Sequence, residues 1–336
     1  MNSGKYIHSI LCAAVGFAAS ISLVTQAVVA REKSNSGDTA KMVSTVGHVR
    51  QNTPIWVYIL AGQSNMTGQG YMKNLPPHFV INRKVLLYHS PGDLRDNAPA
   101  DTWIHLRQAA ESPDRFGPEL SFGNRIQQFF PHHHIALIKD AWTSTDLEHH
   151  WNPGKNRTDK ADWGPQFKEL VQTVDSGMKS LRKLGYSPHI VGMLWQQGEN
   201  DAFDGTKVSA QYGWNLYHFI HRVRQQFRVP HMLFVYGLVI PQPDMGLFTV
   251  NAQCRALVRL GEREVAHNSK SPLAVHGAYL VNTNDLELRA QDPKVPIPYL
   301  KRDHLHFGTM GQIDLGYLYA DSMYRHQTLL PPHFRK

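Results

Sequence analysis

Two short strings, about 240 residues apart, constrain this chain more than anything else in it. The first, Gly62-Gln63-Ser64-Asn65-Met66, follows directly on the apolar run 55–61. The second, Asp303-His304-Leu305-His306, lies near the C-terminus. A serine becomes a nucleophile beside a base, and the base works when a third group orients it. Asp303 and His306 are three positions apart, so one turn of backbone brings the carboxylate against the imidazole. Delivering that pair to Ser64 requires a fold that returns the end of the chain to its beginning. A sheet whose strand ends share one edge does this. Ser64 is therefore the candidate nucleophile, His306 the base and Asp303 its orienter.

The rest of the chain fits such a sheet. Apolar, β-rich runs at 55–61, 84–89, 135–138, 190–195 and 232–240 predict five strands. Between them, Phe167, Leu170, Val171, Val174, Met178, Leu181 and Leu184 recur at helical spacing, with Gly185 as a stop. Val208, Tyr212, Leu216, Phe219, Ile220, Val223 and Phe227 do the same. Cys254, Leu257 and Leu260 mark a shorter helix, and Thr309 is placed to cap a last one through Ile313 and Tyr317. Alternating strands and helices predict an α/β fold with a mostly parallel sheet covered on both faces. Ser64, Gln197 and the turn after Ala141 all fall at predicted strand ends. The Pro- and Asp-containing connection 90–118 is long for a compact domain and reads as a substrate-side loop.

The first thirty residues look like a targeting segment. Lys5 is the only formally charged side chain in 1–30, an apolar stretch of small residues follows, and Val28-Val29-Ala30 suits a signal peptidase. Ser20, Ser22, Thr25 and Gln26 interrupt the stretch and argue against a permanent span. The expected organisation is a signal peptide at 1–30, a flexible polar leader at 31–53 and one domain at 54–330. About 300 residues suffice for one α/β core. With Cys12 in the signal, Cys254 stands alone and no intrachain disulfide can form. Export without disulfides suits a secreted or periplasmic bacterial protein. The formal charge is +8, but Lys and Arg are scattered, without the basic, aromatic-interleaved runs of nucleic-acid binders. No later segment is long and apolar enough for a bilayer, so no membrane association is expected after cleavage. Adjacent histidines in His132-His133-His134 would point to opposite faces of a strand, and no carboxylate or Cys spacing accompanies them. These and His149-His150 read as surface residues, and no metal site is expected.

Four blocks carry a resemblance. They are Ala61-Gly62-Gln63-Ser64-Asn65-Met66, Phe116-Gly117-Pro118-Glu119, Trp195-Gln196-Gln197-Gly198-Glu199-Asn200-Asp201-Ala202, and Asp303 with His306. In them the chain resembles the SGNH hydrolase superfamily, within it the sialate O-acetylesterase domain group that includes carbohydrate esterase family six, the acetyl xylan esterases. The resemblance implies a three-layer α/β/α sandwich on a central, mostly parallel five-stranded sheet. It implies no cofactor, and a serine esterase that removes O-acetyl groups from polysaccharide or sialic acid through an acyl-serine. The oxyanion donors would be the Ser64 N–H, the Gln197 side chain and the Ser144 N–H. Such a donor is typically worth about 3 kcal/mol of barrier. Glu199 would either support His306 as an auxiliary acid or anchor its own loop. Gln63, Asn65, Trp142 and Trp151 are the candidate substrate contacts, with Trp163 a second possible sugar platform. Trp214 lies in a helical pattern and reads as packing. One block departs from the pattern: Thr143-Ser144 stand where relatives have Gly-Gly. A non-glycine residue in a left-handed conformation costs of order 1–2 kcal/mol. That leaves open a weakened oxyanion hole or a shifted acyl preference. The alternatives are a lipid or thioester hydrolase on the same fold, and a carbohydrate-binding protein with weakened catalysis.

Overall fold

The computed structural model describes residues 49–90 and 100–327. The expected signal peptide and the leader up to residue 48 lie outside the described residues, as do 91–99 of the long connection and the last residues assigned to the domain. Strands β1 (Thr53–Gly62), β2 (Gly70–Tyr71), β3 (Leu86–His89), β4 (Ile104–His105) and β5 (Arg115–Phe116) come first, with helix α1 (Ser64–Thr67) after β1. Helix α2 (Glu119–Phe129), β6 (His134–Ala141), α3 (Pro165–Lys183) and β7 (Tyr186–Gln196) follow. The chain continues through α4 (Glu199–Phe203), α5 (Thr206–Phe227), β8 (Leu233–Gly237), α6 (Ala252–Val265), β9 (Ala278–Val281) and α7 (Thr309–His326).

The main sheet runs β4-β3-β6-β1-β7-β8-β9, parallel throughout except for β4, and β2 pairs with β5 in a separate ribbon. Central β1 is buried from Ile55 to Gly62, which is why it reads as a continuous apolar run rather than an alternation. Its side chains still divide by parity. Ile55, Val57, Ile59 and Ala61 enter one core, packed with Phe167 and Leu170 of α3 and Leu216 and Phe219 of α5. Trp56, Tyr58 and Leu60 enter the other, with Phe122 of α2 and Ile313 and Tyr319 of α7. Helices thus cover both faces, giving the expected α/β/α sandwich. Each fully buried side chain of this size is worth about 1.5–3 kcal/mol.

The sheet has seven strands where the pattern predicts five. β4 is a two-residue antiparallel edge, too short to show any periodicity, and β9 has only four residues. The described part of the connection 90–118, expected as a substrate-side loop, carries β4 and packs into the core. Trp103, Leu106, Ala109 and Ala110 of this stretch are buried in the core. The expected leader boundary shifts as well. Thr53 already belongs to β1, and the Val49 N–H donates to the Leu184 carbonyl at 3.0 Å. Thr309 does not cap α7 with its hydroxyl. That hydroxyl accepts from the Tyr71 N–H at 3.0 Å, while the Asp292 carboxylate accepts from the Thr309 N–H.

Candidate active site

The site is assembled where β1, β6 and β7 end. Gly62 terminates β1 with φ +144°, and a Cβ there would lie 2.1 Å from the Gln196 carbonyl oxygen. Only glycine lets β1 close this tightly on β7 and turn Ser64 into α1. A buried lysine holds the far end of α1. Lys139 Nζ donates to the Thr67 carbonyl at 3.1 Å and to Glu119 Oε2 at 2.6 Å, with both side chains fully buried. Glu119 of the Phe116–Glu119 block thus anchors the turn that begins at Ser64.

The structure brings Ser64, His306 and Asp303 together. His306 Nε2 lies 3.0 Å from Ser64 Oγ, and His306 Nδ1 lies 2.9 Å from Asp303 Oδ2. Asp303 is fully buried and accepts further bonds: Oδ1 from the backbone N–H of Leu305 and of His306, each at 3.1 Å, and Oδ2 from Arg289 Nη1 at 3.2 Å. Burial alone would raise the Asp303 carboxyl. The opposing charge and hydrogen bonds of His306, with the Arg289 charge, outweigh it and hold the group at about 2. A carboxylate so placed stays ionised and fixes the imidazole with Nε2 toward the serine. Phe248, half-buried, sets its ring edge-on to His306 at 5.4 Å between centroids.

Glu199 does not orient the histidine. It is fully buried, and its Oε1 accepts from Asn65 Nδ2 at 2.7 Å. Burial raises its pKa, and the Asn65 hydrogen bond only partly offsets this. Asn65, expected to touch substrate, is instead enclosed. Its Oδ1 accepts from the Phe307 N–H at 2.9 Å, and its Nδ2 also reaches the Leu305 carbonyl at 3.4 Å. It therefore grips the backbone on both sides of His306. Gln63 is similarly engaged: Oε1 accepts from the N–H of Gly198 at 3.3 Å and of Asn200 at 3.2 Å, and from Gln197 Nε2 at 3.2 Å.

Gln197 is not available as the oxyanion donor. Its Nε2 carries two N–H groups and sits among three acceptors: Asp201 Oδ2 at 2.6 Å, the Thr145 carbonyl at 2.8 Å and Gln63 Oε1. Both hydrogens are spent inside the protein. Asp201 is itself buried, which raises its pKa to about 8 despite the Gln197 bond. Ser144 adopts φ +58°, the left-handed conformation that a Gly at this position would adopt freely. Neither the Ser64 nor the Ser144 N–H donates to another group among the described residues. Thr143 is tied down by its hydroxyl, which donates to Glu111 Oε2 at 2.8 Å.

The aromatic expectations need correction. Trp151 is fully buried and its indole N–H donates to Thr145 Oγ1 at 2.8 Å, so it cannot meet a sugar. Trp163 is buried too. Trp142, which follows the end of β6, is half-buried and packs against the core. His133 packs on Trp56, and His149 and His150 both face Asp146. Among the described residues no group of three or more His, Cys, Asp or Glu is arranged to hold a metal ion. No helix of the described residues is long and apolar enough to cross a membrane. Arg289, Phe248 and Glu111 escaped the sequence reading because no short motif contains them.

A serine, histidine and aspartate so disposed at the strand ends of a parallel sheet form an arrangement suited to acyl transfer through the serine. Residues 54–325 match the carbohydrate esterase family described as sialic acid-specific acetylesterase, and the chain belongs to that family. A probable carbohydrate esterase of Arabidopsis thaliana is 23% identical over 224 residues, covering 60% of this chain and 78% of the plant protein. The crystal structure of that plant protein superposes with a TM-score of 0.57 at 21% identity, over 81% of this chain and 99% of its own. NanS superposes with a TM-score of 0.60 at 12% identity, over 83% of this chain and 99% of its own. At these identities the likeness of the two structures establishes the fold.

Proposed function

We propose that the protein removes O-acetyl groups from carbohydrate through an acyl-Ser64 intermediate. The observation that carries this is the Ser64–His306–Asp303 chain of hydrogen bonds, in a carbohydrate esterase family member. His306 Nε2 takes the Ser64 proton as Oγ attacks the ester carbonyl. The tetrahedral intermediate collapses, and His306 gives that proton to the departing sugar oxygen. Water then gives a proton to His306 and attacks the acyl-serine. Acetate leaves and Ser64 recovers its proton. Asp303 stays ionised and stabilises the imidazolium. The Ser64 and Ser144 N–H groups are the free donors for the oxyanion, and the left-handed Ser144 supports a working hole over a merely binding protein. Phe248, edge-on to His306, is a candidate wall for the acyl and sugar groups.

Ser64→Ala tests this. Acetate release from acetylated xylan and from O-acetylated sialic acid should be measured for both proteins, with circular dichroism to confirm matched folding. The wild type should release acetate from at least one, and the variant should lose about 10⁴-fold or more in kcat/KM. Equal rates would remove the acyl-serine. Preference for long-chain over acetyl esters would favour the lipid hydrolase alternative. We further propose export, with cleavage after Ala30. The apolar stretch before Val28-Val29-Ala30 supports this reading, and N-terminal sequencing of the mature protein tests it.

A further inference from the structure

A cleft of about 380 Å³ lies between the segment that follows β6 and α5. That volume is in the range of small-ligand sites. Trp214 of α5 lines it and is 54% exposed, stacked on Tyr217 at 5.5 Å and 20°. An indole this open, held flat by a neighbouring ring, offers a face on which an apolar sugar face can lie. Two polar atoms in the same cleft lack partners although they are buried: Glu148 Oε2 and Asn215 Nδ2. Groups like these are ordinarily satisfied. A side-chain rotation at Glu148 and at Asn215, both lining residues, would bring an acceptor and a donor to the stacking platform, the complement of a pyranose ring with its hydroxyls.

The charges select the kind of sugar. Lys155 and Asp162, both lining the cleft, lie 3.8 Å apart and offset each other. The Glu148 carboxylate remains, and it would repel an acidic sugar while accepting from a hydroxyl. The cleft also shares its frame with the active site. Glu148 belongs to the segment that begins at Trp142-Thr143-Ser144, and the neighbouring Leu147 N–H donates to both oxygens of Asp201, at 3.2 and 3.0 Å. Trp214 lies about 12 Å along α5 from its first residue, which stands at the strand-end edge of the sheet.

We propose that this cleft is a distal subsite that binds a neutral pyranose of the same glycan whose acetyl group is presented to Ser64. The proposal rests on the carbohydrate deacetylase reading and can fail separately from it. In NMR spectra of the full protein, the indole N–H signal that disappears in Trp214→Phe reports the platform. Unacetylated xylohexaose, cellohexaose and mannohexaose are then titrated in turn. At least one should shift the Trp214 and Asn215 side-chain signals, and Trp214→Ala should weaken its binding by about tenfold. On the acetylated form of that oligosaccharide, Trp214→Ala should raise KM by a similar factor and leave kcat unchanged, with hydrolysis of 4-nitrophenyl acetate also unchanged. The subsite is refuted if none of the three moves these signals, or if Trp214→Ala binds as tightly as the wild type. A wild type that binds an oligosaccharide here but releases no acetate from any glycan would overturn the deacetylase reading and leave the subsite standing.

Discussion

Replacing Asn65 by alanine should damage activity well beyond its cost to stability. The side chain is fully buried, donating to Glu199 at 2.7 Å and accepting from the Phe307 N–H at 2.9 Å. Two such bonds are worth about 0.5–1.5 kcal/mol each, and stranding a buried partner costs about 1–3 kcal/mol more. The expected loss is about 3–5 kcal/mol, which lowers Tm by about 10 °C in a domain of this size. The same bonds fix Leu305 and Phe307 on either side of His306. A shift of the imidazole by about 1 Å is enough to lower kcat by roughly 10²-fold. Hydrolysis of 4-nitrophenyl acetate, measured well below the variant's Tm, reads kcat and KM separately. A kcat within about threefold of wild type, in a variant that has lost the stability, would refute Asn65 as the positioning residue. Asn65→Asp sharpens the test. Its carboxyl would face Glu199, whose pKa burial already raises, so the pair must share a proton to keep a hydrogen bond. A pKa raised on folding gives stability that is present at low pH and lost as pH rises. The Tm deficit of Asn65→Asp should therefore shrink as pH is lowered from about 8 to about 5. A deficit independent of pH would mean that the two carboxyls do not meet.

Asp303 shows the opposite linkage: its pKa, held at about 2, lies below the ordinary carboxylate value of 3.8, so its contribution is present above that value and lost as pH falls toward 2. Asp303→Asn should remove about 2 kcal/mol of stability at neutral pH, flatten acid unfolding between about pH 4 and pH 2, and lower kcat by about 10⁴-fold; an unchanged acid limb would sink the assignment. Asp201, raised to about 8 by burial, contributes stability that fades as pH rises from the ordinary carboxylate range through 8. Chemical unfolding of Asp201→Asn between about pH 5 and pH 9 should show a weaker pH dependence than the wild type. Ser144→Gly should change stability by no more than about 1 kcal/mol, because relief of the left-handed backbone is offset by a freer unfolded chain. Its kcat should stay within about threefold of wild type; a tenfold rise would show that the serine side chain obstructs the site.

The triad was legible because each member sits in a short string beside a predicted strand end or turn, and a parallel sheet gathers such ends on one edge. What failed depended on burial, which local strings do not encode. Gln197 looked like a free donor, yet an aspartate four residues on, Asp201, lies within its reach and takes it. Trp151 and Trp163 looked like loop platforms and are core, while Trp214 looked like packing and is open. For Trp214 the signal was present. Tyr212 and Leu216 point inward, and a residue two positions from each falls on the opposite face of the helix. No comparable pattern marks the exposure of a loop tryptophan. β4 escaped because two residues are too few to show a period.

The replacement of Gly-Gly by Thr143-Ser144 is where a local rule is broken and a tertiary contact compensates. The turn keeps the backbone that a glycine would adopt, with Ser144 at φ +58°. The neighbouring threonine supplies a tether that glycine could not, through its hydroxyl to Glu111 Oε2 at 2.8 Å. Glu111 is fixed by a salt bridge to Arg115, and its Oε1 accepts from Gln69 Nε2 at 2.8 Å. Gln69 in turn reaches the Ser64 carbonyl at 3.4 Å. The turn that holds Ser144 is therefore bound, through three side chains, to the turn that holds Ser64. A residue strained by about 1–2 kcal/mol persists where its surroundings over-determine it, and this network does so. The stretch around residue 111 consequently serves the site by holding the Ser144 turn in register with Ser64.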